Sequence, residues 1–274
     1  QRPLIAALFV AMVAGFLGSF LLIRNLALIG DGLAHVSFGA IAIGLIVGIV
    51  DALYWAFAIC VIAAILINYL QVKQWLTGDT AIAIFLTGML GLGIVVTRIW
   101  GGGSLISVEG YLWGNLNLID SDSFEFIMIS CFLSYLSLVA LYQSLLLISI
   151  DPIAARIQGL PVRFIGLYWS ILTAAVVVSM VQFVGVLLVT ALIVTPAAIA
   201  QLISRSFLMC VIYSQLIGII TVLLGLYYSA ELSTDSGAMI ALVSAMMFVV
   251  VAISKGLLRT FQIAHEFSNL SVLE

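Results

Sequence analysis

Long apolar stretches separated by short polar connections run the whole length of this chain. They fall at about 4–23, 28–50, 53–70, 80–97, 123–149, 164–181, 183–202, 206–229 and 236–254. Each is close to the ~20 residues an α-helix needs to cross the hydrocarbon of a bilayer. Membrane β-strands alternate apolar and polar residues, and these runs do not. The pattern therefore predicts an all-α, polytopic helical bundle of about eight to nine membrane spans. It forms one transmembrane domain over 1–274, with a tail at 255–274. Only Val181-Gln182-Phe183 separates the sixth and seventh runs, which predicts a tight turn there. Thr195-Pro196 lies inside the seventh and predicts a kink or break.

Composition sharpens this picture. The chain has 274 residues, of which 65% are apolar and 8% charged, with a mean hydropathy of +1.34. Soluble proteins carry about 25% charged residues. A surface facing water cannot be covered by so few, so soluble enzymes and nucleic-acid binders are excluded. The cysteines Cys60, Cys131 and Cys210 all sit in apolar runs at spacings that match no zinc or redox motif, and read as small buried residues. No cleavable signal peptide is visible, and the first span can itself direct insertion. No G-x-x-x-x-G-K-[ST] loop occurs, so the chain shows no means of binding ATP by itself.

Basic residues set the orientation. With the 71–79 connection in the cytoplasm, Arg24, Lys73, Arg156, Arg163, Arg205, Lys255 and Arg259 all lie inside, and only Arg2 and Arg98 outside. The amino terminus is then outside and the carboxyl terminus inside if nine spans are counted. The outer connections carry Asp51, Glu109, Asp120, Asp122, Glu125, Glu231 and Asp235. That acidic face reads either as solvated loop ends or as a docking surface attractive to cations. Residues 98–122 form the longest connection, and Trp100 and Trp113 suit the headgroup region.

Two stretches carry candidate chemistry. In Gly30-Asp31-Gly32-Leu33-Ala34-His35 the carboxylate and imidazole stand four residues apart, on one face of a helix and about 6 Å from each other. Counting from Arg24 at the inner interface places His35 within the hydrocarbon, where ionisable groups are costly and usually functional. A carboxylate with an imidazole suits a divalent transition metal. Two ligands hold a metal poorly, but a two-fold homodimer with this helix at its axis would present four. A structural His–Asp hydrogen bond and a proton relay are the competing readings. Zinc-protease chemistry lacks the second His of H-E-x-x-H at His265-Glu266.

The second stretch is Asp151-Pro152-Ile153-Ala154-Ala155-Arg156-Ile157-Gln158-Gly159-Leu160-Pro161-Val162. Asp151 as N-cap, Pro152 in the first turn and Gly159 as the stop predict a two-turn helix at the inner membrane surface. Small Ala154 and Ala155 leave room for a partner's groove; a plain amphipathic connector is the alternative.

Together these stretches resemble the permease subunit of zinc/manganese/iron-type ATP-binding-cassette importers. Leu28 to His35 is similar to that family's G-D-[AGS]-[LI]-[SA]-H signature. Gly78-Asp79-Thr80-Ala81-Ile82-Ala83-Ile84 resembles its [ED]-D-T-A-I-G-I stretch, departing at Gly78 and Ala83. Leu112-Trp113-Gly114-Asn115 resembles its L-F-G-[NS] loop, and Asp151 to Val162 its D-P-x-x-A-x-x-x-G-[LI]-P connection. Val184-Gly185-Val186-Leu187-Leu188-Val189 through Thr195-Pro196-Ala197-Ala198 resembles its V-G-x-L-L-V…P-A-A run.

The resemblance implies a homodimeric, multi-pass permease of a bacterial plasma membrane, working by alternating access. It implies Asp31 and His35 of both copies as transient metal ligands. It implies a cytoplasmic ATPase dimer, which binds the ATP, docked on Asp151, Pro152, Ala154, Ala155, Arg156 and Gly159. An extracytoplasmic metal-binding lipoprotein is the third expected partner; no cofactor is permanently bound. Val36-Ser37-Phe38-Gly39 after the His is more similar to Gram-positive zinc permeases than to the manganese type, so zinc is the expected cargo, with manganese or iron next. A secondary carrier with an Asp/His relay is the alternative of another class.

Overall fold

The computed structural model describes residues 2–48, 52–100 and 121–270. Its helices are α1 (Arg2–Ile23), α2 (Ile29–Val47), α3 (Ala52–Val72), α4 (Gly78–Trp100), α5 (Ser121–Ala140), α6 (Tyr142–Ile150), α7 (Pro152–Ile157), α8 (Val162–Val184), α9 (Val189–Ile203), α10 (Phe207–Leu232) and α11 (Ser236–Leu270). Among the described residues, seven helices are long and apolar enough to cross a membrane, or up to eight if the bent pair α5–α6 is one span. The outcome is the all-helical membrane bundle the hydropathy pattern predicts. The 98–122 connection, including Leu112-Trp113-Gly114-Asn115, falls mostly outside the described residues.

Three features differ from the sequence expectation. The 123–149 run is not one straight span but bends by 67° at Leu141. There Tyr142 enters an aromatic cluster with Phe20, 5.9 Å away edge-on, and Phe207, 5.9 Å away and stacked. The connection expected at 181–183 lies instead at Gly185, because the α8 helix continues through Val184 and ends where Gly185 turns to φ +82°. A single 3₁₀ turn, Val186–Leu188, follows before α9 begins. Pro196 lies inside α9, which continues as helix through it; the break is upstream. α9 has 15 residues, about 22 Å at 1.5 Å per residue, short of the ~30 Å hydrocarbon core. α11, by contrast, runs 35 residues, roughly 52 Å, and extends well beyond its Ser236–Leu257 span.

Helices in lipid gain little from hiding apolar surface, so close approach of small residues decides which pairs meet. α1 packs against α10 at Gly15, whose carbonyl accepts a 2.8 Å hydrogen bond from Ser214 Oγ. It meets α9 at Gly18, where an added Cβ would lie 2.0 Å from the Ile193 carbonyl oxygen. α2 packs against α4 at Gly32 and Gly39, where a Cβ would lie 2.6 Å from Ile82 Cγ2 and 2.5 Å from the Met89 carbonyl oxygen. α1 and α2 are therefore central, whereas α4, α10 and α11 expose apolar faces that suit lipid. All three cysteines are buried and free.

The connections after α1 and α3, the α6–α8 segment and the α9–α10 link gather at one end of the bundle. That end carries Arg24, Arg156, Arg163 and Arg205. Lys255 joins it by donating to the Leu202 carbonyl. Glu125, Glu231 and Asp235 are exposed at the helix ends away from it.

Candidate metal centre and coupling helix

Asp31 lies in the first turn of α2 and His35 one turn further in. His35 Nε2 is 3.8 Å from Asp31 Oδ1. That is too long for a hydrogen bond but suits two ligands of one ion. At ligand distances of about 2.1 Å it corresponds to an angle near ~130° at a shared cation, wider than tetrahedral by a small side-chain adjustment. The His35 side chain is 8% exposed and that of Asp31 28%, so the pair opens on its carboxylate side. His35 Nδ1 is buried and has no hydrogen-bond partner. It does not hold the tautomer of a purely structural imidazole through a second bond.

The fold around the pair is made by glycines. Gly30 brings α2 against Val189, Thr190 and Ile193 of α9, and Gly32 brings it against Ile82 of α4. Thr190 Oγ1 donates to Asp31 Oδ1 at 3.5 Å. Thr190 lies in the first turn of α9, just after the 3₁₀ turn, so an interrupted helix stands beside the carboxylate. Irregular backbone at membrane depth survives only where protein encloses it or a cavity needs it, and Val186 is fully buried. Gly185, at φ +82° and ψ 159°, occupies a region essentially restricted to glycine.

Among the described residues no group of three or more His, Cys, Asp or Glu is close enough to hold a metal. α2 is enclosed by α3, α4, α8, α9 and the 3₁₀ turn, so a second copy could reach this pair only from the open Asp31 side. Thr190 carries no signal in the sequence, since it stands 159 positions from Asp31.

The connection after α6 forms the predicted short helix. Asp151 Oδ1 accepts hydrogen bonds from the N–H groups of Ile153 and Ala154 at 2.9 and 3.0 Å. Pro152 occupies the first turn, and Gly159 closes the segment at φ +82°. Ala155 is 0% exposed and packs into its own chain. Ala154 is half-buried, and Arg156 and Gly159 are exposed. The outward face instead carries Ile153 and Ile157, 70% and 81% exposed. Their i,i+4 spacing, legible in the sequence, puts both on one face of the helix.

The chain is thus a multi-pass helical bundle with a largely enclosed carboxylate–imidazole pair and a capped short helix between spans. The chain belongs to the ABC 3 transport family, which it matches over residues 1–255. It is 32% identical over 252 residues to the manganese transport system membrane protein MntC of Listeria monocytogenes, covering 91% of this chain and 88% of MntC. It is 28% identical over 254 residues to the chelated iron transport system membrane protein YfeD of Yersinia pestis, covering 92% and 84%. A chain of PsaBC from Streptococcus pneumoniae, solved in complex with a Fab, superposes with a TM-score of 0.80 at 29% identity, over 92% of this chain and 90% of that one. The chain is thus the permease subunit of an ABC-type metal importer, a multi-pass membrane protein and not itself an enzyme.

Proposed function

We propose that this permease works as a homodimer that passes manganese into the cytoplasm by alternating access, with Asp31 and His35 of both copies as the ion's resting place. The observation that carries the reading is the 3.8 Å Asp31–His35 pair with its unpartnered ring nitrogen. Two such pairs supply four N/O ligands, a set that suits first-row dications. A sparse set also suits transport, because an ion held too tightly would not leave.

Manganese is favoured over zinc because the relative MntC is named for it. The zinc expectation rests on the residues after His35, and these serve packing: Phe38 is buried, and Gly39 touches α4 through Met89 and Gly93. They speak of the α2–α4 crossing, not of ligand choice. The relative MntC is named for manganese, and YfeD keeps iron as the second cargo.

In this reading a lipoprotein delivers the ion at the acidic end. ATP closes a cytoplasmic ATPase dimer that grips α7 through Ile153 and Ile157, and the spans rock about the two-fold axis. The test is ATP-dependent uptake of labelled manganese, iron and zinc by vesicles carrying the permease and its ATPase. Manganese should accumulate, and Asp31→Asn and His35→Ala should each lower uptake at least tenfold at unchanged expression. Preferred zinc uptake would restore the expectation from sequence. Uptake that persists without ATP and follows the membrane potential would replace the importer with a secondary carrier.

A further inference from the structure

A polar cavity of about 810 Å³ lies at the basic end of the bundle. It is framed by the α1–α2 link, the α3–α4 link, α7 and the start of α8. Three arginines line it, Arg24, Arg156 and Arg163, against one carboxylate, Asp79. That balance repels a dication, so the cavity does not belong to the cargo path.

Two of its donors are unsatisfied. Arg24 spends Nε on Ser149 Oγ at 2.9 Å and lays its guanidinium over the Trp169 ring at 4.8 Å, but its Nη2 is buried without a partner. Gln71 Nε2 is likewise buried and unpartnered. Gly78 leaves room for that amide, since a Cβ there would stand 2.8 Å from it. Buried donors without acceptors are costly, and two of them in one arginine-lined cavity call for an oxyanion.

We propose that the cavity binds the phosphate of an anionic phospholipid from the cytoplasmic leaflet. A phosphodiester offers two free oxygens to Arg24 and Gln71 and a charge to Arg156 and Arg163. Lipid is favoured over free phosphate by what surrounds the site. Apolar Val72, Ile148 and Val162 share its lining. Exposed Tyr69 at the end of α3, Trp75 on the α3–α4 link and Phe164 at the start of α8 stand at this end of the bundle, and aromatic rings of this kind settle at headgroup depth. Basic pockets between spans on the cytoplasmic side are suited to such headgroups. The bound lipid would brace α7 against the α1–α2 link. The reading does not depend on the identity of the cargo.

The experiment uses the full chain in nanodiscs of pure phosphatidylcholine, or of phosphatidylcholine with one-fifth phosphatidylglycerol, followed by delipidation and mass spectrometry of retained lipid. Phosphatidylglycerol should survive washing that strips phosphatidylcholine. Arg24→Gln and Arg163→Gln should each lower retention about fivefold. Lys73→Gln, which removes a nearby charge outside the cavity, should not. Arg163 is exposed, so its variant stays informative if Arg24→Gln fails to fold. Equal retention of both lipids, or equal loss in Lys73→Gln, would overturn the proposal. So would stabilisation by inorganic phosphate with no preference for phosphatidylglycerol, which would assign the cavity to the free anion.

Discussion

Substituting Gly39 by Ala tests how the Asp31–His35 pair is held in place. Gly39 lies where α2 crosses α4, and an added methyl would stand 2.5 Å from the Met89 carbonyl oxygen, whereas ordinary contact begins at 3.4 Å. The obstacle is backbone, which has no rotamer to yield, so the helices must part by roughly 0.9 Å. Overpacking of this kind costs about 1–3 kcal/mol, which for a chain of this size is a loss of about 3–10 °C in melting temperature. His35 sits between Gly32 at i−3 and Gly39 at i+4, on the side of α2 that faces α4. The separation therefore also moves the pair carried by α2 relative to Thr190 on α9. Displacements near 1 Å can cost a positioned site about 10²-fold, so uptake should fall at least tenfold. Gly88→Ala and Gly91→Ala on α4 are the controls, because nothing lies within 4 Å of the added methyl at either position. They should be neutral or slightly stabilising, since Ala favours a helix interior by roughly 0.5–1 kcal/mol over Gly. Thermal melting in detergent and metal uptake read both effects. A Gly39→Ala protein that melts and transports like the two controls would refute the argument.

Ile153→Asp and Ile157→Asp should leave the melting temperature unchanged while abolishing co-purification of the ATPase, whereas Ala155→Leu should destabilise the permease itself, as melting and pull-down together would show. Asp151→Ala removes the acceptor of two backbone N–H groups, and should cost about 1 kcal/mol locally, read as faster amide exchange across α7. Gly185→Ala forces a side chain into a conformation costing roughly 1–3 kcal/mol, and should lower both stability and uptake. Burial pulls the Arg24 guanidinium down to about 10, well below its ordinary value. The folded state therefore sheds this proton before the unfolded chain does, and the unfolded chain binds more protons between those values. Below about 10 the full cost of burying the charge is present. As pH rises from there towards the ordinary guanidinium value that cost is relieved, so wild type should gain stability relative to Arg24→Gln over the same interval, by equilibrium unfolding.

Much of this protein could be read along the chain, because the bilayer itself reads local hydropathy. Apolar runs of the right length specify spans, and the excess of Arg and Lys on alternate connections specifies one basic end. The Asp31–His35 pair was equally legible, since four residues of helix bring the two groups together whatever surrounds them. The same holds for the α7 caps, Asp151 and Pro152 at its start and Gly159 just past its end. Tertiary structure alone decided the rest. Lipid is as apolar as leucine, so nearly uniform helices carry no hydrophobic contrast to say which faces meet; close approaches at Gly18, Gly32 and Gly39 settle it instead. Those approaches place the interrupted segment at Gly185–Leu188 beside Asp31, turn Ala155 inward and Ile153 and Ile157 outward, and bury the Arg24 guanidinium over Trp169. Each depends on partners far apart in sequence, and no local pattern encodes the distance at which two helices come to rest.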